Sequence, residues 1–361
     1  MSRRIFRSLS LALLWAGSAL PPVLAAEGRI PIFAPLVIGA NGRYIVTRNI
    51  AGGAAPVINI AAPSVDLDLN GFTLTQPAGG PAVILISVAP EQVTIHDGTL
   101  VGGTLSIDVP GPGLKLVIDN VRSQGASGPA IHNLDVVSFV VRHSVIQGTG
   151  AAGPAILVDG GALHSATIED NVIRDCGVGG VFFSNGSVAI LNNRIAGSGA
   201  GIALIGGNGS LLSENTVSGG GGEGILLRAT RGAKLFDNVV RENGSHGIHL
   251  DLASQDNLLL NNVSTGNGFA LPGGHGLFVE GDQNLLERNE LNGNSCFGLF
   301  FSPAGCSNTF GRNMARGNAG ACAAVFCGGP PALFPPQSCN ACAGPANSTF
   351  GDNLIPGPPV F

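Results

Sequence analysis

The sequence predicts an all-β solenoid, and three periodic observations carry that prediction. Asparagine recurs at Asn171, Asn193, Asn215, Asn238, Asn262, Asn289 and Asn313, in steps of 22, 22, 23, 24, 27 and 24 residues. In phase with it comes a glycine followed by an aliphatic residue, at Gly201-Ile202, Gly224-Ile225, Gly247-Ile248, Gly276-Leu277 and Gly298-Leu299. Three positions before each asparagine stands an apolar residue: Ile168, Ile190, Leu212, Leu235, Leu259, Leu286 and Phe310. A period in this range marks units that bury their faces only against their neighbours.

Each repeat reads in order as strand, turn, strand, Asn turn, strand. The segments after each Gly are too short for helices, lack a helical stripe, and alternate inward and outward as strands do. Gly and Asn are expected to supply left-handed backbone at the corners. Coils stacked ~4.8 Å apart would let the asparagines bond to one another and to the turn backbone, a structural ladder.

The pattern runs nearly end to end without a charged or Pro-rich linker, so residues 27–355 read as one elongated domain of roughly twelve coils. Before it, Arg3, Arg4 and Arg7, an apolar run from Leu9 to Leu20 and small residues to Ala26 read as a cleavable export signal over 1–26. That run is too short to span a bilayer. "SRRIFR" also fits a twin-arginine signal, whereas the cysteines favour general secretion followed by oxidation. Without those three arginines the chain keeps fifteen basic and 23 acidic residues, a net of −8. Such a chain is a poor nucleic-acid binder, and it would repel uronans unless basic groups or a divalent cation gather at one site.

"SNTFGRN" at 307–313 recurs as "NSTFGDN" at 347–353, so a further coil follows an insertion at 314–346, with a tail at 356–361. Cys322, Cys327, Cys339 and Cys342 lie in the insertion, after Cys296 and Cys306. In an exported chain these six are disulfide candidates rather than zinc ligands, and a stapled loop there would cover the last open coil. Their pairing stays open. Cys176 stands alone.

The phrases "GIALIGGNGSLLSENTVSG" and "GIHLDLASQDNLLLNNVSTG", with "GRYIVTRNI" and "VDLDLNGFTL" at the entrance, resemble the right-handed parallel β-helix repeats of secreted bacterial proteins. The resemblance covers roughly residues 30–355. It implies a family that holds polysaccharide lyases, glycoside hydrolases, uronan epimerases and members without known activity. It specifies fold far more than activity. Gly274-His275-Gly276 matches one polygalacturonase segment while the Asn-Thr-Asp and Asp-Asp segments are missing. "HGIHLD" at 246–251 keeps only a His and an Asp of the alginate-epimerase Asp-Pro-His-Asp segment.

Alternation lets the outward positions after each Gly be written coil by coil. The first file is His132, Leu157, Phe182, Ala203, Leu226, His249, Phe278, Phe300 and Phe326; the second is Leu134, Asp159, Ser184, Ile205, Arg228, Asp251, Glu280 and Ser302. Arg228, Asp251 and Glu280 follow one another, with His249 beside them, and these four are the candidate catalytic residues. Carboxylates on adjacent coils would lie ~5 Å apart, as in retaining glycosidases, where repulsion raises one pKa or recruits a cation such as calcium. No other cofactor or metal is expected. Arg228 could hold a substrate carboxylate, His246 and His275 could overhang the groove, and Phe278 and Phe300 could stack on sugars. The same charges also suit a solvated sheet. Asp66 and Asp68 read as solvated face positions, and His96, His143 and His164 as unrelated turn residues.

Two functions follow. One is an exported monomer that binds, and cleaves or epimerises, an extended polysaccharide or envelope glycan along its long sheet face. The other is a non-catalytic envelope or adhesion rod. Copper delivery is disfavoured by the two methionines, and ice binding by a single Thr-x-Thr at Thr73 and Thr75.

Overall fold

The computed structural model describes residues 28–151, 153–160, 164–270, 273–302, 307–318 and the strand at 348–349. The export segment, Phe326, most of the 314–346 insertion, and Cys306, Cys322, Cys327, Cys339 and Cys342 lie outside the described residues, and so does the disulfide framework. Cys296 is buried, and Cys176 is a free, buried cysteine.

The described chain contains no helix, and none therefore long and apolar enough to cross a membrane. It winds as a parallel β-helix. Successive coils each give one strand to a twelve-stranded sheet, here the first sheet, which runs from Leu36–Ile38 to Leu299–Phe301. The remaining strands form a second sheet of 22 strands, in two arms that meet at the Asn turn. Pairing is parallel and in register: Ile225, Leu226 and Leu227 face Ile248, His249 and Leu250, which face Leu277, Phe278 and Val279. The expected first outward file holds without a slip from His132 to Phe300.

Inward positions stack aliphatic on aliphatic. Ile202, Ile225, Ile248 and Leu277 form one buried row and Leu204, Leu227, Leu250 and Val279 another, each residue at most 1% exposed. Every apolar residue three positions before a ladder asparagine is buried as well. A narrow rod of coils has little other apolar surface to remove from water, so these rows are its main source of stability.

The ladder forms as the period requires. Asn215 donates from its backbone N and its Nδ2 to Asn238 Oδ1, at 3.1 and 2.9 Å, and its Nδ2 also reaches Ile190 O. The same pattern repeats from Asn171 through Asn313. Two further ladders that the period did not reveal run beside it. One is Asn243, Asn267, Asn294 and Asn318, just before the first sheet; the other is Asn257, Asn284 and Asn308, just after it.

The corners differ from expectation in one respect. The left-handed residue is the one before each ladder asparagine: Asp170, Asn192, Glu214, Asp237, Asn261, Arg288 and Arg312 have φ between 51° and 58°. The asparagine itself turns inward to be buried, and its predecessor takes the strained angle and points outward. The phase-marking glycines are needed for space instead: a Cβ on Gly247 would stand 1.9 Å from Ser264 Oγ and 2.6 Å from Asn267 Nδ2.

Candidate functional site

On the outer face of the first sheet, coils 223–302 carry the candidate residues. His249 comes from the strand Ile248–Leu250 and Phe278 from Leu277–Val279, and both point outward because their neighbours fill the core. Glu280 follows directly, and its backbone N continues the ladder to Leu250 O. The structure brings His249 and Glu280 together, with Nε2 and Oε2 3.1 Å apart. The Nδ1 of His249 is buried without a hydrogen-bond partner and faces Glu223 Oε1 at 4.0 Å. The imidazole thus stands between two half-exposed carboxylates.

His246 and His275 occupy one place in successive coils, each directly before its Gly, and Glu223 and Phe297 occupy the same place on either side. The rings of His246 and His275 stack at 5.1 Å and 10°. Phe278 lies 4.8 Å from both His246 and His249, and Phe300 lies 4.6 Å from His275 and 5.7 Å from Phe297. This continuous platform covers Phe300, which is only 8% exposed although its backbone position faces outward.

The two stacked imidazoles are not free to shuttle protons. His246 Nδ1 accepts from the backbone N of His275, and His275 Nδ1 accepts from that of Phe297. Both rings therefore carry their hydrogen on Nε2, and an added proton would have to displace a backbone bond. Burial pulls His246 down to about 4, with the charge of His249 adding to it; burial pulls His275 down to about 3, with His246 and His249 adding.

Asp251 is placed differently from Glu280. Its Oδ1 accepts from Ala229 N, Ala253 N and Ser254 Oγ, so it organises the turn after the first sheet. Its Oδ2 faces Arg228 Nε at 4.0 Å, and Arg228 is largely exposed. One carboxylate is thus bound into a turn and the other to His249, which does not present the two as a shared site for one cation.

A second ionisable cluster lies at the other end of the rod, where sequence reading separated its members. His96 Nδ1 is 2.8 Å from Asp97 Oδ2, His96 Nε2 is 3.1 Å from Asp66 Oδ1, and Asp68 and Asp66 meet Arg29 and Arg43. Burial lowers the His96 pKa, but the Asp97 bond and the charges of Asp68, Asp66 and Asp97 outweigh it and raise it. The bond from His96, then that from Asn120, lowers Asp97. Ligand atoms of Asp68, His96 and Asp97 lie within 4.8 Å of one another, a spacing a metal could use. Arg29 and Arg43, however, already face Asp68 and Asp66 as ion-pair partners.

Sequence reasoning missed Glu223 and Phe297, although both carry the signal of preceding a phase-marking Gly. It also missed the His96 cluster, whose members come from coils without ladder asparagines.

Comparison with known proteins agrees on the fold. A family model described as a right-handed β-helix region matches residues 154–315, and the solenoid is a right-handed parallel β-helix. The mannuronan C-5 epimerase AlgE6 A-module of Azotobacter vinelandii superposes with a TM-score of 0.60 at 15% identity, covering 88% of this chain and 91% of that one. The Streptococcus pneumoniae surface protein and adhesin PfbA gives 0.46 at 12% identity, with 88% and 90% covered. DFA-IIIase from Arthrobacter chlorophenolicus A6 gives 0.44 at 10% identity, with 78% and 83% covered. No curated protein matches by sequence.

Proposed function

We propose that this is an exported protein that binds an extended, carboxylated polysaccharide across the outer face of its first sheet and transfers a proton on it. The observation that carries the reading is the 3.1 Å contact of His249 with Glu280, set on the aromatic platform one coil from the exposed Arg228. The AlgE6 A-module, a mannuronan C-5 epimerase by name, shares the fold and lends the substrate class.

The chemistry assigns each group a role. Arg228 would pair with a uronate carboxylate through two parallel hydrogen bonds and stabilise the charge that develops when C5 loses its proton. Glu280, more exposed than His249, would take that proton, with His249 orienting it. The C5–H electron pair then enters the carboxylate as an enediolate. It returns either by reprotonation from solvent water on the opposite face, which is epimerisation, or, in β-elimination, by expelling the C4 oxygen, which takes a proton from Glu280 or water as it leaves. Phe278 and the rim of Phe300 would hold the sugar faces.

A purely adhesive rod is the second reading, favoured by the structural duties of Asp251, His246 and His275. Incubating the protein with a panel of uronans and neutral glycans, with and without chelator, separates the two. New unsaturated uronate or an altered C5 configuration, lost in both His249→Ala and Glu280→Gln, supports catalysis at this site. Binding without turnover leaves the adhesive rod, turnover that survives both substitutions displaces the site, and no response to any glycan sinks the reading.

A further inference from the structure

The two arms of the second sheet treat arginine differently. On the arm before the Asn turn, outward arginines are paired across coils: Arg43 with Asp66 at 3.2 Å, Arg142 with Asp119 at 2.8 Å, and Arg312, from the turn, with Glu287 at 2.9 Å. On the arm after it, Arg122, Arg174, Arg194 and Arg241 all point outward and are exposed, and among the described residues none forms an ion pair. Arg174 meets only a neutral group, Gln147 Oε1 at 2.8 Å.

Register places these four on one strip. Arg122 and Arg194 stand in a single file through Val145 and Val172, and Arg174 and Arg241 in the next file through Ala196 and Ser218. Neither file contains Asp or Glu from Thr73 to Thr265. The arginines span five coil steps, roughly 24 Å. Arg174 and Arg194 are diagonal neighbours of like charge, an arrangement that is destabilising on a bare sheet and is relieved by an anion. Acidic residues line both borders: Asp170, Glu214 and Asp237 at the Asn turn, and Asp175 and Glu242 on the far side. Asp170 is engaged by Asn192 and faces His143. A cavity of about 270 Å³ opens at one end of the strip, lined by Asp97, Thr99, Asn120, Arg122 and His143 among others, with the Asp97 carboxylate engaged by His96 and Asn120.

We propose that this arm is a second binding surface, separate from the His249–Glu280 site, for a linear carboxylated polysaccharide lying along the rod. The arginines, one or two coils apart, match a polymer with separated charges. The acidic borders confine the occupant to a narrow strip, which excludes a flat anionic membrane. The cavity at Arg122 and His143 would seat one sugar. Surface and site are independent, so either can fail without the other.

The test is affinity electrophoresis through gels containing polymannuronate, with neutral dextran gels as control and salt varied. Compared are the parent, the quadruple variant Arg122→Gln, Arg174→Gln, Arg194→Gln and Arg241→Gln, and Arg43→Gln on the arm whose arginines are paired. All changes are at exposed positions, and an unchanged melting temperature checks the fold. The quadruple variant is expected to bind at least tenfold more weakly and to lose most salt sensitivity, while Arg43→Gln keeps at least half the parent affinity. The proposal is overturned if the quadruple variant binds like the parent, if Arg43→Gln binds as weakly as the quadruple variant, or if the parent is not retarded.

Discussion

Histidine occurs on outward-facing surface in two regions of this rod, and the surroundings move its pKa in opposite directions. Near the entrance, His96 sits among Asp66, Asp68 and Asp97, and its pKa is raised. Two-thirds of the way along, His246 and His275 lie against Phe278, Phe297 and Phe300 with backbone N–H groups aimed at their Nδ1 atoms, and their pKa values fall to about 4 and 3. The β-helix offers the same kind of position on each coil. The residues one coil above and below decide whether an imidazole holds its proton more tightly or is packed as a flat apolar tile.

Acid should therefore act on the two regions in opposite senses. His246 and His275 have folded pKa values below the unfolded value near 6.5, so their neutral burial stabilises fully above that value and is lost as pH falls below it. Between pH 7 and pH 5 the loss is on the order of 2 kcal/mol for each ring. His96, with a raised folded pKa, contributes stability below about 6.5 that is lost as pH rises through its folded value. Amide exchange at pH 7 and pH 5 should loosen the strands Ile248–Leu250, Leu277–Val279 and Leu299–Phe301 while Ser64–Asp68 and Gln92–Gly103 hold. Equal loosening at both ends would break the comparison.

Substitution sharpens it further. His275→Phe keeps the stack but strands the Phe297 N–H, so it should cost about 1–2 kcal/mol at pH 7 and remove about half of the acid loss, read as denaturation midpoints at the two pH values. His96→Gln leaves three aspartates around a neutral side chain. A cost of about 1 kcal/mol is expected at pH 6, together with loss of the gain the parent shows between pH 8 and pH 6. The smallest effect belongs to Arg43→Ala: its pair with Asp66 is about half exposed, so the cost should stay under ~0.5 kcal/mol and vanish in high salt.

The Asn turn, the buried rows and the outward file from His132 to Phe300 were legible in the sequence because each follows from a period or an alternation. The other two ladders were not, since four and three asparagines give too few steps to stand out among the many other asparagines. Asp251 looked equivalent to Glu280 because both directly follow a first-sheet strand. Only the turn geometry shows that backbone N–H groups claim one carboxylate and an imidazole the other. The His96 cluster escaped for a related reason: its partners come from four different coils, and no repeat brings their numbers into phase.

The ladders also impose an arithmetic on the gene. Each asparagine amide must find the next one directly above it, so the ladder gains or loses members only by whole coils, while the loops between them absorb single residues, as the steps of 22 to 27 residues show. Excising 22 residues, from Arg194 through Asn215, would let Asn193 meet Asn238 as Asn215 now does. Such a rod can grow or shrink between relatives in quanta of one turn, and a groove along its side would be lengthened or shortened by the same unit.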